Sequence, residues 1–144
     1  MQLTLDDIDL SAAPNEGGEQ IEWTDEFEWD PVAQEQERSL SGALIVQEGH
    51  KRYGRPITLQ SNGGAWFALA TVRALEAKRE TAGAVMLLTL PNGAQHYVTW
   101  NRSAGTPVQA TPIWRAVNPG PDELYELTLR LITVAPPPEP DPAP

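Results

Sequence analysis

Hydrophobic residues in this chain recur mostly at every second position, and in one stretch at helical spacing. Leu3 and Leu5 alternate with Gln2 and Thr4, a short strand-like opening. Residues 11–20, SAAPNEGGEQ, are Pro, Gly and polar, and read as a linker. In the stretch that follows, Ile21, Trp23, Phe27 and Trp29 share one parity and Glu22, Thr24, Glu26 and Glu28 the other, with only Asp25 breaking the apolar side. That is the period of an extended strand with one face to bury. Leu40, Gly42, Leu44 and Val46 alternate with Ser41, Ala43, Ile45 and Gln47, which predicts a strand buried on both sides and turned at Glu48–Lys51. Ile57–Gln60 is the next strand; Pro56 has no N–H to donate, so its entry is expected at a sheet edge.

The period then changes. From Ala65 to about Ala82, Ala65, Ala68, Leu69, Val72 and Leu75 form one apolar stripe at helical spacing, with Asn62 or Ser61 placed to cap the start and Gly83 to end it. Ala84–Leu90 is almost continuously apolar, as in a central strand. Pro91-Asn92-Gly93 leads into Gln95–Trp100, and Asn-Gly between strand-like runs predicts a hairpin, with a type I′ turn if Asn92 takes a positive φ. Val108–Trp114 is strand-like but interrupted by Pro112. Asn118–Pro121 is a break, and Tyr125–Val134 is a last alternating strand. The body therefore reads as two strands, one helix and four strands. This predicts a mainly β, α+β fold: an antiparallel sheet, a partly closed barrel or a sandwich, with the helix on one face or end.

At 144 residues the chain is one domain's worth, and no Cys is available for disulfides, thiolate metal sites or a cysteine nucleophile. Charge divides it further. Residues 1–38 hold twelve acids and one base, Arg38; residues 39–136 hold six acids and nine bases; Glu139 and Asp141 follow. The partition suggests an acidic extended arm over 1–38, a mildly basic β-rich domain over 39–135 and a proline-rich tail over 136–144. An acidic arm disfavours duplex nucleic acid. The opening MQLTLDDIDL lacks the basic start of a secretory leader, and no apolar run reaches membrane-spanning length.

Candidate chemistry is sparse. The two histidines, His50 and His96, belong to no H-x-x-x-H or carboxylate cluster. No serine lies in a G-x-S-x-G context. Asn62-Gly63-Gly64 lacks the lysine of a phosphate-binding loop and reads as helix capping. Asp6-Asp7-Ile8-Asp9 lacks the spacing of a calcium loop and reads as solvated acid. The expectation is no catalytic residue, no cofactor and no metal. The informative residues are instead Ile21, Trp23, Phe27 and Trp29 in the arm, and Lys51, Arg52 and Arg55 in a basic turn. The aromatics either cover the chain's own core or anchor on a neighbouring subunit. The basic turn is suited to the rim of a protein contact. Trp66, Trp100 and Trp114 are expected to pack in the core, or else to stack on sugars.

The order Ser41-Gly42, then Gly54-Arg55-Pro56-Ile57-Thr58-Leu59, then Trp66 leading a helix, then Met86-Leu87-Leu88-Thr89-Leu90-Pro91-Asn92-Gly93 and a final Tyr125-Glu126-Leu127-Thr128-Leu129-Arg130-Leu131 resembles small tail-tip and baseplate proteins of tailed bacteriophages, and most of all distal tail proteins. The resemblance covers about residues 38–134. It implies a virion structural protein made in the bacterial host cytoplasm. Copies would form a hexameric ring that joins the tail tube to the central hub and receptor-binding fibres. It implies no enzymatic activity and no membrane insertion. The alternative from a different class is a free-standing, non-catalytic binding or adaptor module, for example one that binds carbohydrate.

Overall fold

The computed structural model describes residues 2–13, 15–103, 105–115 and 117–137. Its strands are β1 (Thr4–Leu5), β2 (Ile8–Asp9), β3 (Glu22–Trp23), β4 (Val32–Arg38), β5 (Leu44–His50), β6 (Pro56–Gln60), β7 (Phe67–Ala68), β8 (Met86–Thr89), β9 (Gln95–Trp100), β10 (Val108–Pro112) and β11 (Leu124–Thr133), with one helix, α1 (Leu69–Arg79). All pairings are antiparallel. The main sheet runs β2-β1-β8-β9-β11-β6-β3, with β10 and β7 also paired to β11. The path ends on β2 and β3 without meeting, so the sheet is open and the barrel alternative falls away. The mainly β, one-helix fold class is as the sequence predicts.

The longest strand organises the sheet. In β11, Leu127, Leu129 and Leu131 alternate with Thr128 and Arg130, and the three leucines are fully buried. One apolar face at period two fixes the register, because a one-residue slip would expose all three. β11 pairs with β6 over Thr128–Ile132, with β9 at Leu131–Thr133, with β10 at Tyr125–Leu129 and with β7 at Leu124–Tyr125. Its leucines meet Ile57, Leu59, Phe67, Val72, Leu75, Met86, Leu88, Val98 and Trp100 in a single core.

The leading segment is not a free arm. Leu3, Leu5 and Leu10 are fully buried in that core, and Ile8 and Ile21 pack against it. β1 lies between β2 and β8, pairing Leu5 with Leu88. The acids there are held by the body. Asp6 Oδ1 accepts the Leu87 N–H at 2.8 Å. Lys78 Nζ lies 3.1 Å from Asp7 and 3.5 Å from Asp6. Its hydrogen bond, followed by its charge, holds the Asp7 carboxyl below the usual range and raises Lys78. Asp9 is lowered by the Ser11 hydroxyl and N–H. Charge composition set the boundary at 38 because solvent-facing acids outnumber the few leucines that decide burial.

The helix starts later than its stripe. Residues before Leu69 are drawn into β7 by pairing with β11, so Ala65 is buried in extended chain. The cap comes from neither Ser61 nor Asn62. Ser61 exchanges hydrogen bonds with Leu127, and Asn62 Nδ2 donates to Glu22 at 2.7 Å. Backbone carbonyls serve instead: the Leu69 and Ala70 N–H groups donate to Glu123 O (2.9 Å) and Pro121 O (3.1 Å), while buried Asn15 holds the approach to the helix, its Oδ1 accepting the Ala68 N–H at 2.8 Å and the Thr71 hydroxyl at 3.0 Å. The α1 end is Arg79, short of Gly83. At Pro91-Asn92-Gly93 the hairpin exists, but only Gly93 has positive φ (88°). Leu90 closes the loop with both Gly93 and Ala94. Pro91, fixed near −65°, sets a three-residue loop ending in left-handed glycine in place of type I′.

A long strand over 21–29 does not form either. β3 stops at Trp23, and the odd residue Asp25 is the reason: its carboxylate takes both the Thr58 N–H (2.9 Å) and hydroxyl (2.8 Å). That contact substitutes for a strand partner at the Pro56 end of β6, which is an edge as expected. Most of the proline-rich tail, 138–144, lies outside the described residues.

Candidate interface: a projecting hairpin and its cation–π base

The strand predicted over 40–46 as buried on both sides is the most exposed part of the fold. β4 and β5 form a two-stranded sheet of their own, in register from Val32↔His50 to Arg38↔Leu44. No residue of either strand is buried. β4 was hidden in the sequence because Ala33-Gln34-Glu35-Gln36-Glu37 carries no apolar alternation. Seven residues per strand at about 3.3 Å each give a reach of ~23 Å. The connecting turn is built locally: Ser39 N–H bonds Ala43 O at 2.9 Å, Ser39 Oγ accepts the Ala43 N–H, and Gly42 takes φ 87°. At the far end Leu40 is fully exposed, and Leu44 (50%), Ile45 and Val46 are exposed beside it. Gln36 donates to Gln34, and Gln34 to Glu48, in a polar line along one face. A lone two-stranded hairpin is marginal in water, and its exposed apolar tip is a candidate contact surface.

The base of the hairpin is rigid. Lys51 N–H bonds Pro31 O at 2.8 Å, and Asp30 caps Val32. Behind it stands a stack of cations and indoles: the Arg55 guanidinium lies 4.4 Å from the Trp23 ring centre and 5.8 Å from that of Trp29, and Lys51 Nζ lies 5.8 Å from Trp29. Such contacts are worth about 0.5–2 kcal/mol each, most where desolvated. Arg55 also donates to Glu26 O at 2.6 Å, and its N–H bonds Thr133 Oγ1. His96 meets the Trp23 ring edge-on at 6.1 Å. Burial, then the Arg55 charge, pushes the His96 imidazole below its ordinary range. Among the described residues, Trp23 Nε1 and Arg55 Nε are buried without a hydrogen-bond partner.

Of the predicted interface residues, the structure brings Trp23, Trp29, Lys51 and Arg55 together in this stack. Arg52 lines the shallow groove beside it with Trp29, Tyr53, His96 and Tyr97. Ile21 packs on the core. Phe27 stands apart, 92% exposed. Trp23 and Trp29 therefore cover their own chain. Of the three body tryptophans, Trp100 is in the core with Nε1 donating to Lys78 O at 3.1 Å. Trp66 and Trp114, expected there too, are not: Trp114 is 74% exposed. With Ile113, Pro121, Asp122, Glu123 and Leu124 they line a groove of about 370 Å³. Pro112 and the Asn118–Pro121 break signal an irregular segment, but nothing in the spacing showed that its rings face outward.

Among the described residues no group of three or more His, Asp or Glu side chains is placed to hold a metal. No described helix is long and apolar enough to cross a membrane. No family model, curated protein or solved structure matches the chain.

Proposed function

We propose that this chain is a non-enzymatic structural component of a tailed-phage tail tip or baseplate, working by assembly into a ring. In this reading it sits in the virion between tail tube and central hub, with receptor-binding proteins beyond. The observation that carries the assembly reading is the β4–β5 hairpin: a ribbon about 23 Å long, clamped at its base and apolar at its tip, with no residue buried by its own body. Burying Leu40, Leu44, Ile45 and Val46 against a neighbour offsets the entropy of ordering the ribbon. The phage assignment rests on the sequence resemblance alone. The basic turn at Lys51 and Arg52 is exposed beside the hairpin base and suits contact with an acidic neighbour.

The test is electron microscopy of the purified chain alone and mixed with tail-tube and hub proteins. Rings or co-assemblies are expected, and their loss when Val32–His50 is replaced by a short Gly-Ser link. A monomer that joins no tail protein overturns the reading. The second reading, a sugar-binding module, is favoured by one observation: exposed Trp66 and Trp114 beside Asp122 and Glu123, rings and carboxylates being what sugar recognition uses. A glycan array bound by the wild type and not by Trp114→Ala would favour it.

A further inference from the structure

The molecule exposes two separate apolar surfaces, and their placement says how copies would join. The hairpin rises where β11 ends: Gly54 and Arg55 bond Thr133. The Trp66–Trp114 groove lies where β11 begins, lined by Leu124 and Glu123. Ten residues of β11 separate the hairpin's base from the groove by about 30 Å. A surface and its complement on different parts of one fold allow a head-to-tail contact, which closes into rings or runs on as filaments.

We propose that the hairpin tip of one copy docks in the Trp66–Trp114 groove of a second copy. This rests on the assembly reading above and names its joint. The tip carries Leu40 and Leu44 beside one cation, Arg38; the groove offers two indoles and Ile113 flanked by Asp122 and Glu123. The charges at the contact are complementary: one cation, Arg38, shares the tip face with Leu44, and Asp122 and Glu123 flank the groove. Pairing of two hairpins along their β4 edges would instead set Glu35 and Glu37 against their own copies, which is unfavourable. The groove volume of about 370 Å³ accommodates both leucine side chains.

The experiment is sedimentation velocity of the full chain, with Leu44→Asp spoiling the tip and Trp114→Ala the groove. Both residues are exposed, so both variants keep the wild-type melting curve; Leu40→Asp is the second tip variant. Wild type self-associates, and each variant alone weakens this at least about tenfold. An equimolar mixture of Leu44→Asp and Trp114→Ala then forms a one-to-one dimer that grows no further, because one intact tip and one intact groove remain. Association lost in Leu44→Asp but kept in Trp114→Ala overturns the groove as receiver and leaves the assembly reading standing. So does a mixture that sediments as monomers. Wild type that stays monomeric at millimolar concentration overturns the joint, while microscopy with tail proteins judges the wider reading separately.

Discussion

Residues 2–23 and the β4–β5 hairpin exchange the roles their compositions suggest. The first is acidic, interrupted by Pro and Gly, and yet puts three leucines into the core and holds the approach to the helix through Asn15. The second holds the Leu44-Ile45-Val46 run and yet touches solvent along its whole length. Burial followed pairing across the chain. Leu5 is buried because its strand pairs with β8 over the core; Ile45 is exposed because β5 pairs with β4 alone, in a ribbon with no buried residue. Composition counts residues, whereas a sheet weighs what stands across from each one.

That contrast can be broken most severely at Gly18. A methyl there would sit 1.8 Å from the Leu10 carbonyl oxygen, both atoms in backbone that cannot move apart cheaply. Gly18→Ala is expected to cost more than about 4 kcal/mol in urea unfolding; a neutral result would show the leading segment to be separable after all. Asn15→Ala leaves the Ala68 N–H buried and unpaired and should cost about 2 kcal/mol. At the hairpin base the comparison is sharpened by pH. His96 is held neutral by burial and Arg55, so the folded form binds its proton less readily than the unfolded chain. Stability from this group is complete above the ordinary histidine value of 6.5 and declines as pH falls below it. Melting temperature should drop from pH 8 to pH 5, and drop less in His96→Gln. The smallest effect belongs to the tip: Ile45→Asp should change stability by less than about 0.5 kcal/mol while weakening association.

The sequence made period legible and partnership less so. Strands with one strong face, such as Leu127-Thr128-Leu129-Arg130-Leu131, and the Leu90–Gln95 hairpin could be placed because their signals are local. β4 could not, since Gln34, Glu35 and Gln36 have no face to bury and owe their strand to β5. The helix start was misplaced because Asn15, 53 residues from Ala68, and β11 jointly decide it. In the candidate interface, Trp23, Trp29, Lys51 and Arg55 were singled out from residue type, and the structure adds that they serve each other first. The outward ring of Trp114 is not legible because alternation in a short, Pro-broken strand does not say which side has a covering layer, and that of Trp66 because the helical stripe hides an extended residue bridged to Glu16.

Because β11 follows β6, β7, β9 and β10 in the chain and pairs with all four, the main sheet cannot be completed during synthesis until β11 has left the ribosome. Until then β1 has only β2 and the β8–β9 pair to join, and the β6 leucine side waits uncovered. Such late, long-range closure makes folding slow for the size of the chain. The ribbon of β4 and β5, by contrast, pairs only within its own nineteen-residue stretch, so its two strands meet without waiting for β11.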